Sequence, residues 1–115
     1  MVGKLTTHVL DTARGAAADG MRVEFRRLAP DPTPATAAIL DAGGRATLLH
    51  AAELSAGSYE IVFFVGDYHR SRGVATGDPP FLDQVPVRFG IGDPHAHYHV
   101  PLVMSPFGYS TYRGG

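Results

Sequence analysis

Apolar and polar residues alternate with period two along several short stretches of this chain. Met21, Val23 and Phe25 interleave with Arg22, Glu24 and Arg26; further on, Val85, Val87, Phe89 and Ile91 interleave with Pro86, Arg88, Gly90 and Gly92. Successive side chains of a strand point to opposite faces, so each stretch predicts a strand with one buried and one wet face. Residues 59–65 are apolar on both faces after Glu60, which predicts a strand covered from two sides, by a second sheet and by a helix or subunit. Residues 67–72 are the one segment that accommodates a short helix.

Turn-forming residues punctuate these stretches: Asp19-Gly20, Pro30-Asp31-Pro32, Asp41-Ala42-Gly43-Gly44, Gly57-Ser58, Gly77-Asp78-Pro79-Pro80 and Gly92-Asp93-Pro94. Short strands at such spacing predict a sandwich or barrel of about seven or eight antiparallel strands. Residues 29–34 read as a loose loop. There is no internal repeat and no linker, and 115 residues suffice for one core and not two, so a single domain over residues 1–115 is expected.

Composition narrows the function classes. Ten Lys and Arg against eleven Asp and Glu leave no basic surplus to draw nucleic acid or an anionic membrane, and neither partner is expected. The absence of cysteine removes disulfides, thiolate nucleophiles and Cys-ligated zinc together. The opening residues lack the apolar stretch of a secretory signal, and no apolar run has the length of a membrane span, so a soluble cytoplasmic protein is expected.

Candidate chemistry concentrates near the C-terminus. The segment Pro94-His95-Ala96-His97-Tyr98-His99-Val100-Pro101 holds three of the six histidines. On one strand, His95, His97 and His99 would form a row of imidazoles suited to zinc ligation or to acid–base work near neutral pH. His8 stands in the β-prone segment Leu5-Thr6-Thr7-His8-Val9-Leu10-Asp11, and Arg45 follows a turn that delivers it to a strand start. An arginine near histidines can clamp a carbonyl or oxyanion. The tail Tyr109-Ser110-Thr111-Tyr112-Arg113-Gly114-Gly115 carries β-formers almost to its end, which predicts either a docked final strand or a segment folded into a site. Ser105 and Ser110 lack a nucleophile-elbow context, and there is no phosphate-binding glycine loop.

Taken together, Leu5-Thr6-Thr7-His8-Val9-Leu10-Asp11-Thr12, His97-Tyr98-His99-Val100-Pro101-Leu102 and Tyr109-Ser110-Thr111-Tyr112-Arg113-Gly114 resemble the 5-hydroxyisourate hydrolases of the transthyretin-related family. The likeness extends to Asp78-Pro79-Pro80-Phe81-Leu82-Asp83 and Val85-Pro86-Val87-Arg88-Phe89. It implies an all-β, transthyretin-like two-sheet antiparallel sandwich of about eight strands with one short helix, assembled as a homotetramer with sites between dimers. It also implies hydrolysis of a ring amide of 5-hydroxyisourate in urate degradation. His8, Arg45 and His99 match the family's catalytic set, with His97, Tyr112, Arg113 and Gly115 expected at the substrate. Family members usually end in Ser where this chain has Gly115.

Under this resemblance His8 and His99 would activate water and Arg45 would hold the oxyanion, with the identity of the base left open. No cofactor is expected, and zinc at the histidine cluster is not expected to be required. Two rivals accompany this reading: a transthyretin-like carrier without hydrolase activity, and a zinc hydrolase built on His8, His97 and His99.

Overall fold

Strand β1 (Lys4–Asp11) buries Leu5, Thr7, Val9 and Asp11 and turns Lys4, Thr6, His8 and Leu10 outward. This alternation is the frame on which the rest of the molecule is arranged. The computed structural model describes residues 3–115. After β1 come β2 (Ala16–Ala17), β3 (Arg22–Ala29), β4 (Thr36–Ile39), β5 (Arg45–Leu49), a 3-10 turn (Ala51–Glu53) and β6 (Gly57–Phe63). Helix α1 (Val65–Ser71), β7 (Val85–Ile91), β8 (His97–Ser105) and β9 (Gly108–Thr111) complete the order. One sheet runs β2-β1-β8-β9, with β5 also paired to β1; the other runs β4-β3-β6-β7.

The two sheets face each other as the sandwich resemblance implies. Leu5, Val9, Leu102 and Met104 from one sheet, and Val23, Ile61, Phe63, Val85 and Ile91 from the other, are almost completely buried between them. Each such side chain contributes roughly 1.5–3 kcal/mol over leaving it in water. Pairing is antiparallel throughout the described strands except between β1 and β8, which run parallel from Lys4↔His97 to Asp11↔Met104. These two strands are distant in the chain, so the intervening elements supply the long crossover that a parallel pair requires.

Three local outcomes differ from the sequence expectation or add to it. The run 59–65 does not continue as strand to its end: β6 stops at Phe63, and Val65 already opens α1, where Gly66 N–H donates to Asp83 O at 2.8 Å. A β-carbon on Gly66 would stand 2.7 Å from Asp83, so only glycine lets the helix start abut that loop. On the outer face of β6, Glu60 is covered within the chain by side chains of its own sheet. Arg26 and Arg88 from the flanking strands close over that carboxylate, their Nε atoms 3.3 and 3.0 Å from its oxygens. Finally, His95 does not join a strand. Asp93 captures the His95 N–H with Oδ1 at 2.9 Å and the Ala96 N–H with its carbonyl at 3.1 Å, an Asx-type turn that ends before β8 begins. The row of imidazoles is therefore His97 and His99.

Asp11 closes the far end of β1. Buried at 1% exposure, it accepts the N–H groups of Ala13 and Arg14 and the hydroxyl of Tyr68 on α1, the last at 2.9 Å. A buried carboxylate needs such partners, and these tie β1 to the helix of the opposite sheet. Among the described residues no helix is long and apolar enough to cross a membrane.

Candidate active site

The outward face of β1 sits between β5 and β8, and its register decides what meets what. His8 lies directly across from Arg45 of β5, and Thr6 is level with His99 of β8. Arg45 owes its place to the preceding turn. Asp41 Oδ1 accepts the N–H groups of Gly43 and Arg45, both at 2.9 Å, and Gly44 takes the left-handed φ of 71° that an L side chain rarely adopts. Gly44 O in turn accepts the Val9 N–H at 2.9 Å, docking the turn onto β1. A β-carbon at Gly44 would stand 2.7 Å from Val9 O.

Arg45, His97, His99 and Gly115 share one open depression of about 380 Å³ with Lys4, Thr6 and Thr47. His8 is half-buried on the same face, one outward position beyond Thr6. Tyr112 and Arg113 lie apart. They border a separate depression of about 270 Å³, lined largely by apolar side chains including Val87, Phe89, Tyr98 and Val100. There the Arg113 guanidinium lies 4.3 Å above the Tyr98 ring. The tail is both a docked strand and part of the site region: β9 pairs with β8, and Gly114 then bridges back to His99.

His99 is the most constrained of these groups. The hydroxyl of Thr6 lies 2.8 Å from its Nδ1 and 2.9 Å from Nε2 of His97, bridging two rings whose centroids are 6.2 Å apart. The basicity of His99 is held below the ordinary imidazole range, first by burial and then by the positive charge of His97, His8 and Arg45. A neutral imidazole near permanently charged guanidinium can take a proton from water while the arginine receives a developing negative charge. Among the described residues no three His, Cys, Asp or Glu side chains are grouped to hold a metal ion.

Sequence reasoning missed Thr6, Lys4 and Thr47. The period-two alternation of β1 carried a signal for the first two, since Lys4, Thr6 and His8 occupy one face. Thr47 had none.

On this two-sheet sandwich one outward sheet face carries imidazoles and an arginine, groups able to serve hydrolysis. Residues 5–114 match the model of the HIUase/Transthyretin family, and the chain belongs to that family. It is 50% identical to 5-hydroxyisourate hydrolase 2 of Rhizobium meliloti, covering 97% of this chain and 96% of that protein. It is 54% identical to 5-hydroxyisourate hydrolase of Deinococcus radiodurans over 96% and 94% of the two chains. Among solved structures, the 5-hydroxyisourate hydrolase of Klebsiella pneumoniae superposes with a TM-score of 0.81 at 30% identity, covering 98% of this chain and 99% of that one.

Proposed function

We propose that this protein hydrolyses 5-hydroxyisourate to 2-oxo-4-hydroxy-4-carboxy-5-ureidoimidazoline, a step of urate breakdown. The observation that carries the reading is His99, pinned at Nδ1 by Thr6 in one depression with Arg45, its basicity lowered by burial and neighbouring charge. The names and near-full-length identity of the relatives support the substrate. In the proposed mechanism His99 takes a proton from water as the water oxygen attacks a ring carbonyl. Arg45 donates to the oxyanion, and its fork suits a planar oxygen centre. Collapse breaks the C–N bond, the imidazolium returns its proton to the leaving nitrogen, and the new carboxylic acid releases its proton to solvent to leave a carboxylate. His8, on the same face, orients the water or the leaving group, and His97 and Gly115 serve the substrate from the same depression, whereas Tyr112 and Arg113 border the separate one and take no step in this scheme.

The depression of a single chain is open, which supports a homotetramer in which a second copy completes the site. The reading includes a single domain in the cytoplasm and no required cofactor or metal. The decisive experiment generates 5-hydroxyisourate with urate oxidase and follows its absorbance decay with and without the protein, before and after chelation. Decay at the spontaneous rate would overturn the proposal. Loss of activity on chelation would overturn its metal-free form, and light scattering that reports an active monomer would overturn the interfacial site.

A further inference from the structure

Thr6 stands between two imidazoles with a single hydroxyl proton to share. Its Oγ1 is within hydrogen-bond reach of His97 Nε2 at 2.9 Å and His99 Nδ1 at 2.8 Å. A hydroxyl donates once and accepts through two lone pairs, so with both rings neutral three arrangements exist. In the first, His99 Nδ1–H donates to Thr6 and Thr6 donates to His97 Nε2. In the second, Thr6 donates to His99 Nδ1 and accepts from His97 Nε2–H. In the third, His99 Nδ1–H and His97 Nε2–H both donate to Thr6, whose own proton turns elsewhere. Two of the three put the His99 proton on Nδ1.

The surroundings distinguish them at His99. The Nδ1 edge of His99 rests on Thr6, and its Cδ2 edge is crowded by Gly114, where a β-carbon would stand 2.5 Å away. Nε2 belongs to the remaining edge, in a depression lined by Lys4 and Arg45. A lone pair toward cations is favoured, whereas an N–H there meets like charge. We infer that Thr6 is a positioning residue that holds His99 in the Nδ1–H tautomer, so that His99 presents an unprotonated Nε2 to the site. The lock also settles which atom of His99 acts: only Nε2 is free to take a proton from water, and Nδ1–H keeps its acceptor when the ring becomes charged. The inference rests on the proposed role of His99 as base, which it sharpens to one atom.

The test reads tautomers and turnover separately. Side-chain ¹⁵N NMR of the whole protein, at a pH where both rings are neutral, should show His99 protonated at Nδ1. Thr6→Val preserves the β-branched shape that suits a strand and removes only the hydroxyl. In it, His99 should relax toward the Nε2–H form that free imidazole prefers, and kcat should fall about 10–100-fold, the scale on which lost orienting partners cost activity. KM should change little, and Thr6→Ser should restore both the spectrum and kcat. An Nε2–H His99 in the unmodified protein, or an unchanged His99 spectrum in Thr6→Val, would overturn the lock. If the unmodified protein fails to hydrolyse 5-hydroxyisourate, the base assignment falls, while the spectrum still decides whether Thr6 sets the His99 tautomer.

Discussion

Gly114 lies so close to His99 that a β-carbon on it would stand 2.5 Å from Cδ2 of the imidazole, while its own N–H donates to His99 O at 2.7 Å. The backbone of the tail thus packs edge-on against the ring that Thr6 holds from the other side. Gly114→Ala must either push the ring off Thr6 or break the bridge. The expected result is a loss of kcat/KM of about 10–100-fold, as for other lost orienting contacts. The thermal midpoint should barely move, because the contact lies outside the core. Steady-state assay beside a melting curve checks this, and wild-type activity in the alanine variant would contradict the close approach.

Removing either outward imidazole of the proposed catalytic set should be costly without unfolding the chain. His8→Ala and His99→Ala are each expected to lower turnover by roughly 10²–10⁴-fold, the usual contribution of a positioned acid or base. Both residues sit on the outer face of their sheet and only half-buried, so circular dichroism should be unchanged. Near-normal turnover in His99→Ala would remove the base from the scheme.

The pH profile follows from the lowered basicity of His99. The base must be neutral, so kcat/KM should rise with pH through the His99 ionisation and level off above it. Burial and the charges of His97, His8 and Arg45 displace that ionisation downward, which keeps the enzyme active into mildly acidic solution. Removing a like charge lets the ionisation move back up. His97→Gln should therefore shift the acidic limb to higher pH, and a shift the other way would show that His97 does not repel a proton on His99.

Arg45 depends on both its own fork and the turn before it. Arg45→Lys should not restore activity to an Arg45→Ala variant, because an ammonium cannot reproduce the planar pair of donors. Asp41→Ala removes the acceptor of two backbone N–H groups and should cost about 1 kcal/mol of stability. It should also lower kcat/KM by letting Arg45 drift from its place across from His8. Denaturant unfolding and kinetics on the same preparations test the two effects together, and a stable but fully active Asp41→Ala would mean that the turn does not position Arg45.

Much of the architecture was legible in the chain itself, because it depends on local periodicity and turn chemistry. The alternation from Met21 to Arg26 and from Val85 to Gly92 marks two strands that the fold contains as β3 and β7. Asp41-Ala42-Gly43-Gly44 forms the turn its residues suggest, and the histidine-rich segment does supply a strand with His97 and His99 on its outward face. The family likeness placed Arg45, His97, His99 and Gly115 as site candidates, and the fold gathers those four into one depression.

What the sequence could not decide are relations between segments far apart in the chain. No local pattern says that β1 pairs parallel to β8, yet that register, with Thr6 level with His99 across 93 positions of sequence, is what makes a common threonine the bridge between two histidines. β6 ends at Phe63 and the chain turns into α1, whose start is held through Gly66 to Asp83, seventeen residues on, and hydrophobicity alone reads straight through that boundary. Likewise the cover over Glu60 is two arginines on neighbouring strands, a pairing set by sheet order. Periodicity fixes which face a side chain takes because it is a property of one strand; which side chains meet on that face is a property of the register between strands, and that exists only once the sheets have formed.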